Sequence, residues 1–145
     1  FRSTTIERVI ALQDVDIFSQ VSTEHLAYLA AIAQEENVVA GTAVFAARDP
    51  AGAMYLVVEG HVRLHLDQLE INVVGPGDAF GTWALFDDEP RVSAATALED
   101  SLLLRLDKED FIDLLADNVD ITQGVLKALV KRVRGLLGRV GGGAS

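Results

Sequence analysis

Cysteine is absent from all 145 residues. Disulfides, thiolate zinc sites and a cysteine nucleophile are therefore excluded, and the redox compartment is left open. No uninterrupted apolar run approaches the roughly 18 residues needed to span a bilayer, and no leader pattern opens the chain. Catalytic constellations are missing too. Ser93 has no base near it in sequence. The acid pairs Glu35/Glu36 and Asp87/Asp88 fall in helix-end or turn-like contexts, where solvated carboxylates are the ordinary reading. His61 and His65 are four apart, which sets them about 13 Å apart along a strand, too far for one metal ion to join. These absences make an enzyme the least expected class, and no metal site is expected.

What is present describes a packed domain. Half of the residues are hydrophobic, which argues for a core and against disorder. The length suits one domain, residues 1–145. The net charge of −10 is unevenly spread: Lys127, Lys131, Arg132, Arg134 and Arg139 lie after residue 126 with no acid among them, leaving 7 basic and 22 acidic residues before it. Such a body repels nucleic acid, so no direct nucleic-acid partner is expected. The cationic end reads either as a DNA- or membrane-binding arm or as charge that complements a helix C-terminus. The chain starts at Phe1 and ends Gly-Gly-Gly-Ala-Ser, and reads as a piece of a longer protein.

Helical periodicity occupies the two ends. Thr4 or Thr5 can cap a short helix over residues 4–13, and Ser22 a second one that sets Leu26, Leu29, Ala30 and Ala33 on one face. From Asn37 to Asp107 the pattern turns strand-like. Strands are expected at Val38–Val39, Thr42–Ala46, Met54–Glu59, Val62–Leu66, Leu69–Val74, Val92–Ala97 and Ser101–Asp107, with turns at Gly41, Arg48–Gly52, Gly60 and Gly75–Asp78. Helix returns over Lys108–Asp117, with Asp107 as its cap and Phe111, Leu114 and Leu115 buried. A longer helix follows over Ile121–Val140. There Leu126, Leu129, Val133, Leu136 and Val140 form a seam at spacings of three and four, able to pair two chains or to dock on the domain itself. The class is α+β, mainly β: a sandwich, jelly roll or barrel between helices.

The segment from Gly75 to Ala97, G-P-G-D-A-F-G-T-W-A-L-F-D-D-E-P-R-V-S-A-A-T-A, carries the functional signal. A turn leads to Gly81, which opens one helical turn, and a lone Arg91 follows ten residues on. Helix starts present unpaired N–H groups that attract anions, and an arginine fork can close over the same anion.

This segment resembles the phosphate-binding cassette of the cyclic nucleotide-binding domains. Three further stretches resemble that family in the right order: V-D-I-F-S-Q-V-S-T-E-H-L, D-P-A-G-A-M-Y-L-V-V-E-G-H-V-R-L and E-P-R-V-S-A-A-T-A-L-E-D-S-L-L-L-R-L-D. The likeness runs over roughly residues 6–137 and is to effector domains of the catabolite activator type. It implies an eight-stranded β-roll (double-stranded β-helix, or jelly roll) over about residues 36–107, flanked by N-terminal helices and by C-terminal helices over about 108–140. It implies that a cyclic phosphate sits on the backbone N–H groups of Gly81, Thr82, Trp83 and Ala84 and on Arg91, with cAMP or cGMP as the ligand and no cofactor required.

Two positions depart from the family pattern. Val92 stands where a small residue or serine is usual. Thr82 stands where the family pattern Phe-Gly-Glu-Leu-Ala-Leu has the glutamate that holds the ribose. Losing such a charge-assisted bond is worth about 1.5–3 kcal/mol, which a threonine hydroxyl recovers only in part. Trp83 can stack on a base, fill the ligand's space or pack into the core. Arg91 can face the helical turn or pair with Asp87, Asp88 or Glu89.

Two functional readings follow. In one, an anionic nucleotide draws the last helix, through Leu126, Leu129, Val133 and Leu136, over the pocket of an allosteric regulatory domain. In the other, a degenerate, ligand-free module dimerises or docks a partner by that helix. The expected partners are a fused effector domain in a larger protein, possible in transporter and helical-repeat contexts as well, and a second copy of the chain. The expected location is the cytoplasm, either free or as the cytosolic module of a membrane protein.

Overall fold

A computed structural model describes residues 4–140, and only the backbone of Val140. The glycine tail and the Val140 side chain of the expected seam lie outside that range.

Local chemistry starts each N-terminal helix. Thr4 and Glu7 form a reciprocal capping box at the head of α1 (Thr5–Gln13), Thr4 Oγ1 accepting from Glu7 N–H at 3.1 Å and Glu7 Oε1 from Thr4 N–H at 2.9 Å. A 3-10 turn, Asp16–Phe18, leads to Ser22, which caps α2 (Thr23–Ile32). Leu26, Leu29 and Ala30 of α2 are buried.

Eight strands follow. One antiparallel sheet has the order β1 (Gln34–Val38), β8 (Ser101–Asp107), β3 (Ala53–Glu59) and β6 (Ala79–Phe80). The other has the order β2 (Ala43–Phe45), β7 (Ala94–Ala97), β4 (Val62–Leu66) and β5 (Leu69–Val74). With the flanking helices this is the expected mainly-β α+β roll. Its first strand begins at Gln34, a little before the strand-like pattern in the sequence, because Glu35 and Glu36 pair with Leu104 and Leu103 of β8. β7 begins two residues later than expected, since Val92 and Ser93 belong to the loop before it.

The alternation of β3 divides two cores. Met54 and Leu56 face the helices, where they join Phe18, Leu26, Leu29 and Phe111. Ala53, Tyr55 and Val57 face the roll interior with Val62, Phe80 and Leu103. A strand covered on both faces needs apolar residues at every position, which is why A-M-Y-L-V-V reads as a continuous run. Truncating Leu56 to alanine is expected to cost about 2–5 kcal/mol.

After β8 come α3 (Lys108–Asp117) and α4 (Val119–Val140). Asp107 occupies the N-cap position of α3, but its side chain does not cap. It pairs instead with Arg105 Nε at 2.9 Å and accepts from Gln34 Nε2 at 3.3 Å. Phe111 is buried, and Leu114 and Leu115 are half-buried against the helical core.

The first half of α4 docks through Ile121, Val125 and Ala128. Gly124 makes this possible: a Cβ there would lie 2.8 Å from the Gln20 carbonyl oxygen and 3.0 Å from a Val21 methyl. The expected seam is not the docked face. Leu129 is half-buried against the core, while Leu126, Val133 and Leu136 are exposed, together with Val130 and Leu137.

Candidate anion-binding site

Arg91 is fixed first through its backbone. Its N–H donates to the Asp49 carbonyl at 2.9 Å and its carbonyl accepts from Arg48 N–H at 2.7 Å. Both partners belong to the loop between β2 and β3, where Arg48 itself takes a positive φ of 72°. This clamp sends the side chain inward, where it is only 8% exposed.

The guanidinium then meets carbonyls and rings rather than acids. Nη2 donates to the Ala53 carbonyl at 2.5 Å and Nη1 to the Gly81 carbonyl at 3.4 Å. The carbon of the fork sits 4.1 Å from the ring centre of Phe45 and 5.9 Å from that of Tyr55. Nε is buried without a partner among the described residues. Burial holds the guanidinium below the usual arginine range, against the pull of Tyr55 and Asp49. Burial likewise pushes the Tyr55 phenol above its ordinary value.

Of the two destinations open to Arg91, the structure shows the helical turn. The acidic loop makes other contacts. Lys108 Nζ pairs with Asp88 and donates to the Asp87 carbonyl at 2.8 Å, while Asp87 Oδ1 accepts from Glu89 N–H at 3.1 Å.

Gly81 is needed for this arrangement. It holds a left-handed φ of 69°, and a Cβ would lie 2.5 Å from Arg91 Nη1. It opens the 3-10 turn Thr82–Leu85. Within the turn, Ala84 N–H is bonded to the Gly81 carbonyl at 3.2 Å. The donors that a helix start leaves open are therefore those ahead of Ala84.

A cavity of about 360 Å³ lies against these groups, walled by Phe45, Ala51, Leu64, Pro90 and Val92, with Gly81, Trp83, Ala84 and Arg91 at one side and Asp87, Glu89 and Ser93 completing it. The volume is in the range of small-molecule sites. Five of the six sequence-derived site residues meet here. The sixth, Thr82, lines a separate hollow with Asp16, Asp78 and Arg132, so its hydroxyl is not part of the cavity wall. Val92 is on the wall but 84% exposed, at the mouth.

Trp83 is not core. It is 49% exposed at the cavity rim, and the Arg132 guanidinium of α4 lies 4.8 Å above its ring. Arg132 also pairs with Asp16 at 3.3 Å. Sequence reasoning did not single out Arg132, although its place in the acid-free stretch after residue 126 was visible. It also missed the partners of His25, whose Nδ1 lies 2.8 Å from Ser22 Oγ and whose Nε2 lies 3.7 Å from Asp120. His61 meets Glu99 at 2.6 Å and His65 meets Thr96 at 2.8 Å. No group of three metal-ligating side chains occurs among the described residues.

The family model of the cyclic nucleotide-binding domain matches residues 35–118. The chain belongs to that family. It is 29% identical over 123 residues to a CRP-like cAMP-activated global transcriptional regulator of Mycobacterium tuberculosis, a match spanning 81% of the chain and 55% of that protein. It is 35% identical over 99 residues to the cyclic AMP receptor protein of Thermus thermophilus, spanning 65% of the chain and 46% of that protein. The chain thus spans about half the length of these relatives. Among solved structures it resembles the N-terminal domain of a transcriptional regulator from Streptomyces coelicolor, with a TM-score of 0.82, 31% identity, and 90% and 94% of the two chains covered. The regulatory domain of Toxoplasma gondii PKA, solved with cAMP, gives a TM-score of 0.70 at 26% identity over 76% of this chain and 44% of that one. A cyclic nucleotide-binding domain of this kind is regulatory rather than enzymatic. No helix among the described residues is long and apolar enough to cross a membrane.

Proposed function

We propose that this domain senses a cyclic nucleotide, cAMP or cGMP, in the Arg91 cavity and passes its occupancy to α4. The observation that carries the reading is Arg91. It is a buried cation with no carboxylate partner among the described residues, an unpartnered Nε, and an open cavity beside it. A charge kept in such a place needs an anion to offset its desolvation. The open N–H groups at the start of the Thr82–Leu85 turn supply further donors.

Transmission runs through Trp83. Its indole belongs to the cavity rim, and its face carries Arg132 of α4. A ligand that moves the indole favours one setting of α4 over another, which is the differential interaction that allostery requires. The exposed row of Leu126, Val130, Val133 and Leu137 gives α4 a surface by which that setting can reach a fused effector domain or a second copy in a cytoplasmic regulator. The same row favours the second reading, a ligand-free module that only docks or dimerises through α4.

Calorimetric titration with cAMP and with cGMP, using Arg91→Ala as the control, separates the two. Micromolar binding lost in the variant supports the sensor. No heat at millimolar nucleotide, with the protein folded, supports the docking module.

A further inference from the structure

The cavity holds one cation and two carboxylates, and they do not pair. Asp87 and Glu89 both line it, both are exposed, and neither has an ion-pair partner among the described residues. The hydrogen bond from Glu89 N–H to Asp87 Oδ1 keeps the two on the same short loop at the mouth. Asp88, between them in sequence, is turned away: it pairs with Lys108 and is not on the cavity wall. An entering anion therefore meets one buried positive charge and two negative charges.

Apart from Ser93, the wall facing these charges is built of apolar groups, among them Phe45, Leu64, Pro90 and Val92. A ligand's first negative charge finds the Arg91 guanidinium, which lines the cavity and has no carboxylate partner among the described residues. A second draws again on the same single cation, while it doubles the repulsion from both Asp87 and Glu89. We propose that Asp87 and Glu89 are specificity-determining residues that act as a charge filter, admitting monoanions with an apolar body, such as phosphodiesters, and turning away dianions such as phosphomonoesters. This rests on the reading of the cavity as an anion site. It adds that the site discriminates by charge number at its mouth as well as by shape.

The test uses a matched pair that contains no nucleoside. Methyl phenyl phosphate is a monoanion. Phenyl phosphate is a dianion at pH 8, above a second phosphate pKa of about 6. Trp83, the one tryptophan of the chain, reports binding by its fluorescence at the rim. In the wild-type domain the two carboxylates are expected to weaken the monoester about fivefold more than the diester.

In the double variant Asp87→Asn, Glu89→Gln the diester should gain about fivefold and the monoester about twenty-five-fold, because the repulsion scales with ligand charge and the fold-change is squared. Both gains should shrink in 1 M salt. Asp88→Asn, which removes the same charge from outside the wall, should change the preference less than twofold. Equal gains for both ligands, or an equal effect from Asp88→Asn, would overturn the filter and leave the anion site standing. Failure of both anions to bind folded wild-type and variant protein would overturn the filter and the anion site together.

Discussion

The Arg91 guanidinium lies 4.1 Å from the ring centre of Phe45. A cation that stacks on a ring and donates to two carbonyls is held in place without being neutralised. Its burial costs stability, and an anion bound beside it would relieve that cost. Because the arginine is protonated in both the folded and the unfolded chain at working pH, and burial lowers its folded value, this cost is present throughout the range below that value.

Arg91→Met should therefore separate stability from binding. The apolar stem refills the space beside Phe45 and Tyr55, and the charge is gone. The unliganded domain is expected to melt within about 1 kcal/mol of wild type, or above it, while cyclic nucleotide binding disappears. Paired denaturation and titration curves check this. A large loss of stability would show that Arg91 serves the fold rather than the ligand.

Gly81→Ala should do the reverse. Its Cβ would enter the space of Arg91 Nη1, at a left-handed φ of 69°. A loss of about 1–2 kcal/mol is expected from the backbone alone, with the guanidinium displaced toward the mouth. Chemical denaturation measures the first effect, and a crystal structure of the variant shows the second.

Arg132→Ala removes the contact between α4 and Trp83. The stacked pair is worth about 0.5–1 kcal/mol at an exposed site, and the pair with Asp16 adds at most about the same. Global stability should barely change. The emission of Trp83 should shift, and amide exchange in α4 beyond residue 129 should quicken. Unchanged exchange would remove Arg132 from the route between cavity and helix.

The loop that carries Asp87 and Glu89 is tied to α3 by Lys108. The hydrogen bond and charge of Lys108 lower the Asp88 carboxyl below its ordinary 3.8. A carboxylate with a depressed folded value adds stability that is present above its unfolded value and lost as pH falls through the folded one. The Lys108 contact should thus persist to a pH below 3.8 and be lost only as pH falls through the depressed Asp88 value. Lys108→Met should return the Asp88 titration to the ordinary carboxylate range, as read by carbon-13 shifts of the side chain.

Much of the fold was legible because its signals are local. The caps at Thr4 and Ser22 depend on residues within three positions, and β5, β8 and α3 have the boundaries that their patterns predicted. The site was legible where glycine and arginine are the message: Gly81 by its turn, Arg91 by its isolation in an acidic loop. Side-chain direction was not. A single 3-10 turn turns consecutive residues to different sides, so Thr82 and Trp83 part company although they are adjacent. On α4 the seam is a true periodicity, but periodicity does not say which stripe faces the core. Gly124 marks that side, since a side chain there would collide with Gln20 and Val21.

The division of β3 between two cores bears on how such a domain can lose its ligand. Tyr55 and Val57 line the roll, while Met54 and Leu56 anchor the helices, so the strand stays constrained even in a lineage whose cavity has fallen idle. Arg91 and Gly81 depend instead on each other, the arginine filling the space that a side chain on the glycine would need. In that lineage they would drift as a couple, the glycine becoming free to gain a side chain once the arginine no longer fills the space beside it. In this chain both are present and in contact, a Cβ on the glycine lying 2.5 Å from Arg91 Nη1.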